Sequence, residues 1–196
     1  LKNDSAIFAN IEVIPRTFCY PNNNKKAEGR RIAEQNRVGT RLKQRSIGSK
    51  STPEDLEKWM NTLIETNDWG VGMTHGLTYG YDAFRNPQRL WDHWDQVKAK
   101  EDKIWVGTFR EVVSYIKERE NTQLNVLKNN NKLLITLKLE LDKEIFIEPL
   151  TMVIAGQKVK KVIVRQGKKK LPVQISAHKV TFDFNPYGGL IEVLIK

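Results

Sequence analysis

The chain of 196 residues has little of three features on which binding and catalysis often depend. Its single cysteine, Cys19, excludes an internal disulfide and any metal site built from several cysteines. Its three histidines, His75, His93 and His178, have no spacing that fits a metal cage, and no His-x-x-x-His pair occurs. It also lacks an apolar run of about 18 residues, so the sequence predicts no membrane-spanning segment.

Positive charge is in excess, and the excess is uneven. Residues 1–121 carry 20 Lys and Arg against 17 Asp and Glu, whereas residues 122–196 carry 13 against 6, so the net charges are +3 and +7. A basic balance favours association with polyanions such as nucleic acid, acidic glycans or an anionic membrane, and it selects none of them. The runs 158–161 and 168–170 read as the solvated face and turn of a β-hairpin or as a binding patch. Because no recognised nucleic-acid motif accompanies them, we expect no nucleic-acid partner.

The first part of the chain alternates strand-like and helix-like segments. The clearest helix start is 51–55, where a hydroxyl N-cap precedes a proline and two acids in the first turn. The alternation predicts parallel β/α units, in a barrel or an open sheet. Strands are predicted at 13–20, 38–42, 69–75 and 104–108, and helices at 25–36, 51–67, 87–100 and 109–120.

The second part has a different period. Asparagine-rich punctuation at 121–131 is followed by short alternating or β-branched runs with turn residues between them, about seven strands with no helical segment. This pattern predicts a small antiparallel β-sandwich over residues 124–196. All five tryptophans lie between residues 59 and 105, so the two parts, 1–123 and 124–196, also differ in composition.

His75 lies at the carboxyl end of the predicted strand 69–75. In β/α folds this edge is where ligands bind and catalytic groups project. Gly72 and Gly76 leave room there for another backbone or a ligand. The alternative is a histidine that caps the strand and hydrogen-bonds a neighbouring carbonyl.

Aromatic and polar residues follow His75 and suit a sugar-binding rim. These aromatic and polar residues are Tyr79, Tyr81, Asp82, Trp91, His93 and Trp94. For Trp91 and Trp94, an equal alternative is that they pack the next helix against the rest of the fold.

Three segments carry a family resemblance. They are FCYPNN (18–23), GVGMTHG (70–76) and KIWVGTFREVVSYIKER (103–119). In order and spacing, over roughly residues 8–120, they resemble NodB-type polysaccharide deacetylases, a carbohydrate esterase family with a deformed (β/α) barrel. The trailing β part resembles the accessory sandwich of some bacterial members. The resemblance implies the second half of such a barrel over residues 1–123, followed by the sandwich.

The family removes acetyl groups from acetylated sugars or glycans, commonly from N-acetylglucosamine. A divalent metal, usually zinc, activates water and polarises the acetyl carbonyl. The family's metal-binding Asp-Asp motif and histidine pair precede the segment that 18–23 resembles, so we expect the ligands upstream of this chain. The expected partners are therefore an acetylated glycan and either the missing N-terminal half of the barrel or another copy of the chain.

The resemblance also implies roles for single residues. His75 would be the general acid that protonates the departing amine or alcohol. The backbone N–H of Asn22, after Pro21, would help to hold the oxyanion, and Tyr20 would line the site. The family often has an aromatic residue where Asn22 stands.

The sequence contains no clear match to the residues that would orient His75 in the family. The family's Asp-x-x-Asp-Trp segment, which orients the histidine, has no clear match between residues 38 and 50. Asp68 and Asp82 are the alternatives, and Asp82 comes first because it lies in the same predicted loop as His75. With Tyr79, it completes the expected substrate-binding set.

A second class of function stays open beside the enzyme. The chain could be a noncatalytic glycan-binding or cell-surface module on the same fold. The family context implies export, to the periplasm or the cell surface, in either case.

Overall fold

A computed structural model of the protein describes residues 15–156, 161–176 and 178–195. The described helices are α1 Ala27–Ala33, α2 Pro53–Thr66, α3 Gln88–Lys98 and α4 Phe109–Asn121. The described strands are β1 Thr17–Cys19, β2 Gly39–Arg41, β3 Arg45–Ser46, β4 Gly72–Met73, β5 Gln123–Asn129, β6 Lys132–Lys138, β7 Leu150–Ala155, β8 Val162–Gln166, β9 Lys169–Leu171, β10 Gln174–Ser176, β11 Lys179–Phe184 and β12 Ile191–Ile195. The expected mixture of helices and sheets is confirmed.

The chain divides into two compact units. The loop unit consists of residues 19–26 and 41–109. The sheet unit contains, among the described residues, 15–18, 27–40 and 110–195. All the site residues expected from the sequence belong to the loop unit.

The loop unit is built around one parallel crossover. Strands β3 and β4 pair in parallel, with Arg45 opposite Gly72 and Ser46 opposite Met73, and α2 connects them. A small core made by Ile47, Leu56, Phe84 and Leu90, with Trp59 packed against it, supports this βαβ arrangement. Parallel β/α character is therefore present at this point, while the barrel stays a prediction.

Helix α2 begins and ends as its sequence dictates. The Thr52 hydroxyl accepts a hydrogen bond from Asp55 N at 3.2 Å, and the Asp55 carboxylate accepts one from Thr52 N at 3.3 Å. This reciprocal capping box satisfies two amide groups that a helix start leaves unpaired. At the other end Asn67 adopts a left-handed conformation with φ of 51°, which stops the helix.

Two local expectations for the loop unit were wrong. Residues 104–108 form no strand, although their composition is that of one. Strand β3 was not expected, because it is only two residues long and both are polar. Short strands whose side chains are exposed leave no periodic hydrophobic signal.

The sheet unit consists mainly of antiparallel strands. One sheet has five strands in the order β5-β6-β12-β8-β9, and a second has three in the order β10-β11-β7. Every pairing described within these two sheets is antiparallel, as the sequence predicts. Tyr115 of α4 packs against a single core formed by inward-facing residues of both sheets. The core residues are Ile135, Leu150, Val162, Val164, Leu171, Val180, Phe182, Phe184, Ile191 and Val193.

Two β-hairpins contain segments whose structure the sequence alone did not determine. The asparagine-rich stretch that suggested punctuation contains β5, which pairs with β6 from Gln123↔Lys138 to Asn129↔Lys132. The run 168–170 is exposed and lies at the β8–β9 turn, where Gly167 has φ of 56°. The run 168–170 therefore forms the turn and exposed face of a β-hairpin, as one of its two interpretations predicts. The other basic run, 158–161, lies outside the described residues except for Lys161.

Candidate functional site

The loop that follows β4, residues 74–85, is called the histidine loop. His75 is exposed and lies two residues after the end of β4 at Met73. The Thr74 hydroxyl donates to Gly76 O at 2.9 Å and accepts from Gly76 N at 3.3 Å, so one side chain closes the turn around His75. A Cβ on Gly76 would lie 2.2 Å from Tyr79 O, so the loop requires glycine at that position.

One aromatic ring contacts the imidazole of His75, and another exposed tyrosine lies in the same loop. The His75 and Tyr81 rings meet edge to face, with centroids 5.2 Å apart and an interplanar angle of 77°. Tyr79 and Tyr81 are 88% and 81% exposed. Large aromatic side chains with this much exposure in one loop are typical of surfaces that bind a ligand.

Asp82 joins the histidine loop to the segment that follows β3. Its Oδ1 accepts hydrogen bonds from Ser49 Oγ at 2.7 Å and from Ser49 N at 3.2 Å. Ser49 N also lies 3.3 Å from Asp82 O, and a Cβ on Gly48 would come within 1.9 Å of that same oxygen. Asp82 itself has φ of 50°. The two loops therefore touch backbone to backbone, which a side chain at position 48 would prevent.

The charge on Asp82 is stabilised by this arrangement. The hydrogen bond from the Ser49 hydroxyl holds the pKa of Asp82 below its ordinary value, against the partial desolvation of the carboxyl group. The charges of Lys50 and His75 lower the same pKa further. Asp82 is thus near enough to His75 to feel its charge, while its Oδ1 is held by Ser49. The orienting role expected for Asp82 stays a prediction.

The 20–22 segment forms a separate turn within the same unit. Tyr20 is buried, and residues Pro21–Asn23 make one turn of 3₁₀ helix. Asn23 N donates to Tyr20 O and Asn24 N to Pro21 O, each at 3.0 Å. Asn22 has φ of 49°. The contacts described above for the histidine loop do not include Pro21 or Asn22, and their expected roles stay predictions.

Helix α3 separates the aromatic and histidine residues that the sequence groups together. His93 is buried and stacks on Trp59, with ring centroids 6.4 Å apart, and burial lowers its pKa. It therefore belongs to the interior of the loop unit and not to an exposed rim. Trp91 and Trp94 are exposed and meet edge to face with centroids 5.0 Å apart, and a sugar-binding role for them stays a prediction.

A metal site is not formed by the residues that the structure describes. Among them, no group of three or more His, Cys, Asp or Glu side chains could hold a metal ion. The described residues alone therefore do not fit a resident metal. None of the described helices has both the length and the apolar character needed to cross a membrane.

The sequence matches no protein-family model and no curated protein. The geometry of the histidine loop and the pattern of residues around it are therefore the basis for a functional assignment.

Sequence reasoning missed the contribution of residues 48–50. Ser49 and Asp82 are 33 residues apart, and no local pattern connects them. One signal could have found them. Loops that follow adjacent parallel strands lie at the same sheet edge, so the Gly-Ser-Lys-Ser segment would have been placed beside His75 if β3 had been recognised.

Proposed function

We propose that the chain takes part in removing acetyl groups from an acetylated glycan, as the C-terminal portion of a metal-dependent polysaccharide deacetylase. The observation that carries the proposal is the exposed His75 just after the carboxyl end of β4 in a βαβ arrangement, with its ring edge to face with the exposed Tyr81 ring. The order of the three resembling segments supports it as well. The metal ligands would lie outside the described residues, in an upstream half-barrel.

The residues of this chain would act mainly on the leaving group and on the sugar. The protonated imidazole of His75 would give its proton to the amine or alcohol as the bond to the acetyl carbon breaks. Edge contact with Tyr81 and the turn closed by Thr74 limit the positions of the His75 ring. Tyr79 and Tyr81 offer flat apolar faces on which sugar rings stack.

The experiment measures acetate release from acetylated chito-oligosaccharides together with zinc content. The chain alone is compared with the chain extended upstream by about one half-barrel. We expect release only from the extended, zinc-bound form. In that form His75→Ala should lower release by roughly 10²- to 10⁴-fold with zinc content unchanged, because this is the usual contribution of a general acid.

His178→Ala is the matched control. It removes an exposed histidine from the β10–β11 turn of the sheet unit, and only the backbone oxygen of His178 has a described hydrogen bond, with Gly156 N. Release should therefore equal that of the wild type. The proposal fails if the extended form releases no acetate from any acetylated glycan, or if His75→Ala retains full activity.

A noncatalytic glycan-binding module is the second candidate, favoured by the exposure of Tyr79 and Tyr81. In that case the chain alone would bind acetylated oligosaccharides, and no form of it would release acetate. Tyr79→Ala and Tyr81→Ala would each weaken binding, since stacking area is lost, while His75→Ala would have a smaller effect. Isothermal titration of the four proteins with one oligosaccharide separates this candidate from the enzyme.

A further inference from the structure

Cations outnumber acids in residues 70–90 and in the segment 48–50 that contacts them. Between Trp69 and Trp91 the sequence contains one acid, Asp82, and two arginines, Arg85 and Arg89. Arg85 lies in the histidine loop itself, exposed, with φ of 64°. The loop after β3 adds Lys50, which is also exposed.

Lys50 and Arg89 are tied to the loop contact already described. Lys50 follows Ser49 directly, and its charge acts on the Asp82 carboxylate. The Arg89 guanidinium donates to Ser49 O at 3.5 Å, so the first turn of α3 joins the same cluster. Residues 48–50 and 70–90 therefore hold three cations, Lys50, Arg85 and Arg89, against the single carboxylate of Asp82, whose Oδ1 Ser49 already occupies.

These segments carry a net positive charge and also contain the exposed rings. The charge of Asp82 offsets one cation at most, so about two positive charges remain for a ligand. Tyr79 and Tyr81 lie in the same loop and present apolar faces. A sugar ring with an acidic substituent fits both properties, since rings stack on tyrosine and carboxylates pair with Lys and Arg.

We propose that the glycan recognised at the histidine loop is anionic, with its sugar rings on Tyr79 and Tyr81 and its acidic groups paired by Lys50 and Arg85. The proposal rests on the proposed function in taking the ligand to be a glycan, and it adds the charge of that ligand. Arg89 has a positioning role in it, because its guanidinium holds Ser49.

The test compares two tetrasaccharides of opposite character on the full chain by isothermal titration at low salt. One is tetragalacturonate, which carries carboxylates, and the other is neutral chitotetraose. We expect tetragalacturonate to bind roughly tenfold more tightly, because exposed ion pairs each contribute modestly. The difference should shrink as salt is added, since salt screens exposed charges.

A double variant, Lys50→Gln with Arg85→Gln, localises the effect. It should lower the affinity for tetragalacturonate by roughly two- to tenfold and leave chitotetraose unchanged. The matched control is Lys43→Gln, which removes one exposed cation of the same unit at the other end of β3. This control should bind both tetrasaccharides as the wild type does. Far-ultraviolet circular dichroism checks that each variant is folded.

Three results would overturn the proposal, and they are distinguishable. Equal binding of both tetrasaccharides by the wild type removes the anionic class and leaves the glycan assignment standing. Tighter binding of a single-stranded oligonucleotide than of tetragalacturonate, lost in the double variant, makes the surface a nucleic-acid site. Binding of neither tetrasaccharide, nor of any acetylated polymer, contradicts the glycan assignment itself.

Discussion

The loop unit and the sheet unit are each stabilised by different interactions within the unit. Among the described residues, the sheet unit has ten buried residues in one core, and the β5–β6 ladder alone pairs seven residues of each strand. The loop unit has a core of four buried residues, and its parallel strands are two residues long. Hydrogen bonds between loops, above all those from Ser49 to Asp82, fix its geometry.

The exposed aromatic residues follow the same division. Tyr79, Tyr81, Trp94 and Trp105 are exposed in the loop unit, whereas Phe182 and Phe184 are buried in the sheet unit. Loops on a scaffold commonly present binding and catalytic groups. The scaffold under the histidine loop is therefore small, and single polar contacts and glycines determine the shape of the site.

Truncating one buried phenylalanine in each unit is the strongest test of this comparison. Phe84 is 1% exposed in the loop unit and Phe182 is 3% exposed in the sheet unit. Each change to alanine should lower the free energy of unfolding by about 3–5 kcal/mol, because a cavity remains. Tryptophan fluorescence follows the loop unit for Phe84→Ala, since all five tryptophans lie in it. Circular dichroism follows the sheets for Phe182→Ala. A loss below about 1 kcal/mol in either would contradict the assigned cores.

Two glycine substitutions should have opposite signs. Gly48→Ala places a Cβ against Asp82 O in the loop unit, so it should cost about 1–3 kcal/mol of stability. Gly29→Ala, in α1 of the sheet unit, meets nothing within 4 Å and should stabilise the protein by about 0.5–1 kcal/mol. Urea denaturation measures both. Equal effects of the two changes would show that the contact at Gly48 does not form.

A buried carboxyl group makes the stability of the sheet unit depend on pH. Glu118 of α4 is fully buried, and its Oε2 accepts hydrogen bonds from Ser114 Oγ at 2.9 Å and Glu148 N at 3.2 Å. Burial raises the pKa of Glu118 above 4.5, more than these two bonds lower it. The folded state therefore holds the proton more tightly than the unfolded chain does.

It follows that Glu118 contributes its full stabilisation below pH 4.5 and that this is lost as the pH rises through its folded pKa. Glu118→Gln keeps a neutral group of the same shape, so the fall in the urea midpoint with rising pH should become shallower. Glu120→Gln, exposed on the same helix, is the control and should leave the slope unchanged. Identical slopes for Glu118→Gln and the wild type would count against this prediction.

The smallest expected effect concerns the ionisation of Asp82. Ser49→Ala removes the hydrogen bond that is the first cause of its low pKa. The pKa of Asp82 should then rise toward its ordinary value of 3.8, measured by a carboxyl-carbon NMR titration. Thr52→Ala removes a hydroxyl of similar size from the start of α2 and should leave Asp82 unaffected. An unchanged Asp82 titration in Ser49→Ala would show that the two loops are held by other contacts.

Local signals predicted the helices well. The capping residues around Thr52 and the periodic apolar positions of α2 are properties of neighbouring residues, so the sequence alone contains them. The same holds for Phe182 and Phe184, which alternate along β11 and are both buried. Strand β5 was missed because all seven of its residues are exposed, and no buried period marks it.

Long-range contacts set the limit of prediction for the site. The sequence indicates that His75 follows a strand, because the residues that form this strand directly precede it. It does not indicate that Ser49 binds Asp82, since 33 residues separate them and the short β3 gives no pattern. The prediction of a strand at 104–108 was wrong for a related reason. β-Branched and aromatic composition describes a residue's preference, whereas a strand also requires a partner.

The hydrogen bonds between Ser49 and Asp82 bear on the order in which the chain folds. The β5–β6 hairpin closes across two residues, Asn130 and Asn131, and forms from neighbours alone. The Ser49–Asp82 contact closes a far longer segment that contains α2 and β4, so its loop-closure entropy is larger. We therefore expect the histidine loop to reach its final geometry late in folding, and to be lost early in local unfolding, while the core of the sheet unit remains intact.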